Sequence, residues 1–282
     1  MRNLDPSKEK KNYVYWNGHR IGQLKYSDTL LVLLTNKCFR YCEHCFRKRI
    51  HRKTTEVCKN YKALREFLKE HTKVNNVLLS GGDPLTLSNK KLEEIIMKYI
   101  PSRVDIRIGT RALTFAPNRF DKSLISLLRA YRISLQLHIN KPYEYSSNVV
   151  EKLRSEGIRM FSQTVLLKGI NDNPNILREL FRTLVKDGIQ IYYIFQNRPI
   201  SKEYSIPIYD GIKILEEAKK GLTGHERTVR YIMSNSQGKV EIVGIYKNRF
   251  IFKYHRHRNP KKEGKIYLVP VDKQRIWWDE KN

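Results

Sequence analysis

The sequence predicts an α/β protein: a partial (β/α)6 barrel of parallel strands with a short N-terminal extension and a C-terminal antiparallel β extension. Two observations carry this. Short, β-branched, nearly continuous apolar runs alternate with segments whose apolar residues recur every three to four positions. After Lys239 the texture changes to strand-like segments joined by a short turn, with no helical pattern between them.

The apolar runs are Leu30–Thr35, Val77–Ser80, Val104–Thr110, Ser134–Ile139, Arg159–Leu167 and Ile189–Phe195. Strands apolar on both faces suit a parallel sheet covered by helices. Between them, helices are predicted around Leu64, Phe67 and Leu68, around Leu92, Ile95 and Ile96, and around Leu124, Leu127 and Leu128. The pattern continues with Val149, Val150 and Leu153, then Ile176, Leu177, Leu180 and Leu184, then Ile212, Ile214 and Leu215. Val240–Tyr246 and Arg249–Tyr254 read as a hairpin turning at Lys247-Asn248, with Lys265–Val271 as a third strand. The predicted division is therefore a basic extension over 1–25, the barrel over 26–238 and the β extension over 239–282, the last too short to build a core of its own.

A chain of 282 residues with 40% hydrophobic and 11% aromatic residues buries a sizeable core, so its 29% of charged residues belong mostly to the surface. The formal charge of +27, from 55 Lys and Arg against 28 Asp and Glu, makes a positive field that favours anionic partners such as phosphorylated cofactors or nucleic acid. Met1–Trp16 is polar and basic without the apolar stretch of a signal peptide, and apolar runs such as Leu30–Leu34 are far too short to span a bilayer. A cytoplasmic protein without membrane contact is expected.

Three of the four cysteines, Cys38, Cys42 and Cys45, crowd into one loop directly after the first barrel strand, with Cys58 apart. Such crowding reads as metal ligation in a reducing compartment rather than as a disulfide framework. A loop at a strand's C-terminal end also sits where barrel active sites lie. Three thiolates hold three irons of a cubane cluster and leave the fourth iron open to a chelating ligand. The alternative is structural zinc, which wants four protein ligands and would need His44 folded inward from between two cysteines. The next strand ends in Gly81-Gly82-Asp83-Pro84, where glycines permit close backbone approach and a carboxylate can accept from an ammonium. Read alone, those residues are a turn.

The Cys-x3-Cys-x2-Cys spacing of Cys38, Cys42 and Cys45 resembles the signature of the radical S-adenosylmethionine superfamily. That resemblance implies a 4Fe–4S cluster on the three cysteines, S-adenosylmethionine chelated to the open iron, and reductive cleavage to a 5′-deoxyadenosyl radical. It assigns Gly81, Gly82 and Asp83 to the methionyl amino group. Further segments are similar to the lysine 2,3-aminomutase family: Phe46-Arg47-Lys48-Arg49, Gly109-Thr110-Arg111, His138-Ile139-Asn140-Lys141-Pro142, Gln163 to Asp172, and Tyr192 to Gln196. The family resemblance implies an isomerase that moves an amino group between adjacent carbons of an amino acid with pyridoxal 5′-phosphate. By position it gives Arg47 the substrate carboxylate, His138 and Gln163 the ribose side of S-adenosylmethionine, and Lys239 the pyridoxal phosphate. Lys25 and Tyr26 fall where the family grips the phosphate, although Thr29 replaces an expected arginine and the glycine run before the lysine is absent. Lysine-specific members hold the distal ammonium with two aspartates. This chain has Asn197 and Arg198 after Gln196, and Ser234 and Asn235 before Lys239. Arg198 therefore suggests an acidic substrate such as glutamate, because an arginine facing an ammonium is repulsive.

Radical chemistry of this kind implies a one-electron reductant such as flavodoxin or ferredoxin, and a homo-oligomer is compatible with the reading. Two other readings stand beside it. One keeps the radical without pyridoxal phosphate and docks a protein, peptide or RNA through the basic surface. The other is a non-enzymatic metal-containing nucleic-acid-binding protein built on the basic stretch Lys253–Lys265, for which no binding-fold motif is present.

Overall fold

The computed structural model describes residues 12–48 and 56–279. Arg49, which the resemblance includes, lies outside the described residues. The chain divides into two compact units, Met1–Leu137 with Tyr145–Met160 and His138–Glu144 with Phe161–Asn282.

The first unit opens with an antiparallel hairpin of β1 (Tyr13–Trp16) and β2 (His19–Tyr26). Its turn, Asn17-Gly18, holds both residues at positive φ, as the two-residue hairpin turns that match strand twist require. β2 then pairs antiparallel with β3 (Thr29–Thr35), every residue of which is buried. From β3 the pairing turns parallel through β4 (Asn76–Gly81), β5 (Asp105–Thr110) and β6 (Ser134–Leu137), in chain order. The helices between them are α1 (Tyr61–Glu70), α2 (Asn89–Tyr99), α3 (Lys122–Ala130) and, after β6, α4 (Ser147–Ser155). Asn60, Ser88 and Asp121 cap the first three by accepting from a backbone N–H of the first turn. Each helix buries a single stripe, such as Ala63, Leu64, Phe67 and Leu68 on α1.

The second unit contains β7 (Met160–Leu166) from Phe161 onward, β8 (Gln190–Gln196) and β9 (Arg230–Ser234), paired parallel in that order. Its helices are α5 (Pro174–Lys186) and α6 (Ile208–Lys219). β9 is a parallel strand beyond the six expected. It pairs antiparallel with β10 (Gly238–Tyr246), which turns through Lys247-Asn248, both at positive φ, into β11 (Arg249–His257). β12 (Ile266–Pro270) completes the antiparallel set. Phe250, Phe252 and Tyr254 alternate on the buried face of β11, and Trp278 stacks on Phe252 with centroids 4.8 Å apart.

The architecture is thus mixed α/β, with parallel strands followed by antiparallel strands at the C-terminal end, as the sequence predicts, and with an antiparallel N-terminal pairing that it does not predict. The predicted N-terminal extension contains β1 and all of β2 but its last residue, Tyr26, and β2 pairs with β3. Among the described residues no helix is long and apolar enough to cross a membrane.

Candidate active site

In the first unit, β3 delivers the chain into the cysteine loop. Cys38, Cys42 and Cys45 are all half-buried. Two tight turns shape the loop: the Cys45 N–H donates to the Cys42 carbonyl at 3.1 Å, and the Lys48 N–H to the Cys45 carbonyl at 3.1 Å. Burial pushes the Cys38 thiol up to about 12, with Asp83, Cys45 and Cys42 adding to the rise and Arg47 opposing it. Burial likewise raises Cys45, against the Arg47 N–H and guanidinium. Burial, with Arg111 and Lys48, brings His44 down to about 4, against Glu43. Among the described residues no three His, Cys, Asp or Glu side chains are gathered into a ligating arrangement. The three thiols share the loop and feel one another's charge, but the structure does not draw them together as a preformed metal cage.

The end of β4 fastens this loop. The Gly82 N–H donates to the Thr35 carbonyl at 2.6 Å and the Asp83 N–H to the Lys37 carbonyl at 2.7 Å. A Cβ at Gly81 would collide with the Thr35 carbonyl oxygen and one at Gly82 with the Lys37 carbonyl oxygen. Gly81 also sits at φ +131°, which side chains disfavour. The two glycines therefore hold the entry to the cysteine loop directly. Asp83, buried at 5% exposure, accepts from the Leu85 N–H at 3.1 Å, the Arg111 N–H at 2.8 Å and the Thr110 hydroxyl at 2.8 and 2.9 Å. Its carboxylate ties the end of β4 to the end of β5, a bracket that its place in a turn sequence did not reveal. Burial raises its pKa while these donors lower it.

Two guanidiniums reach the loop. Arg47 donates to the Ser80 hydroxyl at 2.9 Å and lies over the Phe46 ring, 4.7 Å from its centroid. Arg111 Nη1 stands 2.9 Å from Cys42 Sγ. Lys25 and Tyr26 are half-buried at the end of β2, where Tyr26 pairs with Thr29 at the start of β3 and Lys25 falls in a register irregularity. They are at the opposite end of that strand from the cysteine loop, about 20 Å along it at ~3.3 Å per residue.

In the second unit, His138 begins the segment His138–Glu144, which is tied down by buried asparagines. Asn140 Oδ1 accepts from the Val165 N–H at 3.0 Å, and Asn171 Nδ2 donates to the Asn140 and Val165 carbonyls at 2.9 and 2.8 Å. Gln163 is half-buried in the middle of β7, with Tyr193 of β8 as its register partner. Gln196 donates to the Ile206 and Ile276 carbonyls and accepts from Tyr231, so it is a buried tie between segments. Beyond it, Asn197 is buried and donates to the Ser201 carbonyl, while Arg198 is half-buried.

Lys239 stands at the start of β10, half-buried, between Ser234 of β9 and Arg256 of β11. Its Nζ lies 3.9 Å from the Tyr193 ring centroid, with Phe195 and Tyr192 at 5.5 and 5.7 Å. Tyr193 Oη is 2.7 Å from His255 Nε2, and Arg230 Nη1 is 3.2 Å from His255 Nδ1. Because arginine only donates, Nδ1 is the acceptor and Nε2 carries the hydrogen toward the tyrosine oxygen. Burial brings His255 down to about 4, helped by Arg230, Lys239 and Arg256 and opposed by Glu263, so the imidazole is neutral at pH 7. In place of a glycine run, Asn235 builds the turn before the lysine by accepting from the Gln237 and Gly238 N–H groups at 3.0 and 2.9 Å. A Cβ at Gly238 would meet the Arg256 carbonyl, which explains a glycine at this one place.

The family profile of the Radical SAM superfamily matches residues 32–181, which include the cysteine loop and its β4 clamp. The chain belongs to the radical SAM superfamily. Within it, the chain is 36% identical to a protein of Aquifex aeolicus (strain VF5) provisionally named an L-lysine 2,3-aminomutase, over 98% of this chain and 77% of that one. This places it in the lysine 2,3-aminomutase family. It is 32% identical to the glutamate 2,3-aminomutase of Clostridioides difficile (strain 630), over 84% of this chain but only 58% of that enzyme. Among solved structures, Streptococcus suis SuiB bound to S-adenosylmethionine shares the fold, with a TM-score of 0.55 at 16% identity over 81% of this chain and 50% of that one.

A radical SAM fold implies a 4Fe–4S cluster and S-adenosylmethionine, and the residues present fit them. The donor set is three thiols on one loop, and two guanidiniums beside it offset the negative charge of thiolate-bound iron. Ligation reverses the effect of burial, because a bound metal holds its thiols deprotonated. Gly82→Ala is expected to displace the Lys37 carbonyl and with it the loop of this radical SAM protein. Stability should fall by about 1–3 kcal/mol, the usual overpacking penalty, and iron content after reconstitution should fall with it. Thermal melts and iron assay check both, against Gly224→Ala, where a Cβ meets nothing within 4 Å.

Proposed function

We propose that this chain is an amino acid 2,3-aminomutase that holds pyridoxal 5′-phosphate on Lys239 and acts on an acidic amino acid such as glutamate rather than on free lysine. When bound, the cluster and S-adenosylmethionine supply a 5′-deoxyadenosyl radical, and pyridoxal phosphate supplies the conjugated system through which an amino group migrates. Cys38, Cys42 and Cys45 hold the irons. Gly81 and Gly82 fix the loop that carries them, and Asp83 keeps the adjoining strand ends in register with it. Arg47, with its guanidinium at the end of β4, takes a substrate carboxylate, for which its planar pair of donors is suited. His138 and Gln163 take the ribose side of S-adenosylmethionine; Lys25 and Tyr26, at the end of β3 away from the cysteine loop, are not given the pyridoxal phosphate group.

The observation that carries the proposal is the setting of Lys239. In a chain with 55 Lys and Arg, this lysine is not a solvated surface charge but is half-buried over an aromatic ring, directly after a glycine that its neighbour strand demands. The choice of substrate rests on charge. No carboxylate stands at Asn197, Arg198, Ser234 or Asn235, and Asn197 and Asn235 bind their own loops. In this reading Arg198 meets a distal carboxylate. A low-potential flavodoxin or ferredoxin would deliver the electron, and a homo-oligomer is compatible with the assignment.

Anaerobic protein reconstituted with iron, sulfide and pyridoxal phosphate, then given S-adenosylmethionine, dithionite and single amino acids, tests this by mass analysis of β-isomers. Glutamate is expected to be converted and lysine not. Conversion of lysine in preference would overturn the substrate assignment, and no β-isomer from any amino acid would overturn the aminomutase. A second reading, a radical enzyme acting on a protein, peptide or RNA without pyridoxal phosphate, draws on the charge of +27. It would be favoured by 5′-deoxyadenosine formed only with a macromolecule whose binding weakens steeply with salt.

A further inference from the structure

We propose that Arg111 tunes the cluster, donating an N–H···S hydrogen bond to Cys42 that raises the one-electron reduction potential of the bound iron. The inference rests on the reading of Cys38, Cys42 and Cys45 as cluster ligands. Arg111 Nη1 is 2.9 Å from Cys42 Sγ, and the guanidinium carbon lies 4.5 Å from the Phe115 ring centroid. The root of the side chain is held as firmly as its head. The Arg111 N–H donates to buried Asp83 at 2.8 Å, and the Thr110 hydroxyl donates to the same carboxylate while accepting from the Ala112 N–H at 2.9 Å. Asp83 in turn is anchored through its own N–H to Lys37, next to the first ligand cysteine. One connected set of bonds therefore fixes both the cysteine loop and the cation that faces it.

A cation that donates to a ligating sulfur stabilises the cluster more strongly after it has gained an electron than before. Hydrogen bonds to the sulfurs and local charge are among the factors that set cluster potentials. The electron comes from an external low-potential reductant and no proton moves with it, so Arg111 acts on the equilibrium of that transfer. It makes the cluster easier to reduce. Arg47, the other guanidinium at this loop, donates to the Ser80 hydroxyl.

Arg111→Gln and Arg111→Lys in the full chain, reconstituted anaerobically, test this by redox titration followed by electron paramagnetic resonance, with iron and sulfide content measured alongside. At unchanged iron and sulfide content, the glutamine variant is expected to be harder to reduce by about tenfold in the equilibrium, a downward shift of about 59 mV for one electron. The lysine variant should fall between it and the parent. Equal potentials in parent and glutamine variant at full cluster content would overturn the proposal. If the glutamine variant fails to load, the lysine variant decides, and an unshifted potential there overturns it. A parent protein that takes up no cluster would instead overturn the reading of the cysteine loop, and this proposal with it.

Discussion

Alanine at Cys38, Cys42 or Cys45, one at a time, is expected to reduce cluster content and 5′-deoxyadenosine formation to background. Each removed thiolate leaves an iron without its protein ligand, and the described residues gather no alternative set of His, Cys, Asp or Glu around the loop to replace it. The loss should exceed the about 10–100-fold that removing an outer-shell partner of a metal ligand costs. Cys58→Ala is the internal control. It is buried, its N–H donates to the Leu33 carbonyl, and its thiol, pushed up to about 12 by burial, donates to the Asn60 carbonyl. Its removal should leave cluster content intact. Iron and sulfide assays with product analysis check the series.

Lys239→Ala should abolish both the visible absorbance of bound pyridoxal phosphate and aminomutation, while leaving the iron content unchanged. The ammonium over the Tyr193 ring also contributes packing, a cation–π contact of about 0.5–2 kcal/mol. Alanine therefore removes chemistry and stability together. Lys239→Arg separates them, because a guanidinium keeps the charge over Tyr193 but carries no pyridoxal phosphate. It should melt near the parent temperature and still lack the chromophore. If pyridoxal phosphate binds Lys239→Arg with the parent's spectrum, another lysine holds it.

Much of this fold is legible in the sequence because burial on both faces leaves a distinctive text. Leu30–Thr35 is a continuous apolar run, and β3 over Thr29–Thr35 is buried throughout. The six helical stripes are equally plain, each an apolar set at helical spacing. The N-terminal hairpin is less visible, since β1 and β2 mix exposed and buried residues and contain Arg20, Gly22 and Lys25. Its signal was Asn17-Gly18, the dipeptide that two-residue hairpin turns favour. β9 escapes because Arg-Tyr-Ile-Met-Ser is short and begins with a charge, and only its place between β8 and β10 makes it a strand.

The site divides in the same way. Cysteine spacing and the Gly-Gly-Asp turn are local in sequence, so they can be read directly. The work of Asp83 and Arg111 cannot. Asp83 meets Thr110 and Arg111, and Arg111 meets Cys42 in a loop 69 positions away in sequence. The same holds for Asn140 and Asn171, whose side chains pair with backbone groups of neighbouring segments. Tyr193, His255 and Arg230 come together around Lys239 only when β8, β9 and β11 are assembled, so their meeting there is not legible in the sequence.

The most direct test of this account is electron paramagnetic resonance of the anaerobically purified, reduced protein before and after addition of S-adenosylmethionine. A cluster held by Cys38, Cys42 and Cys45 alone leaves one iron open, so its signal should change shape when S-adenosylmethionine chelates that iron. A zinc-loaded protein, or a cluster signal indifferent to S-adenosylmethionine, would contradict it.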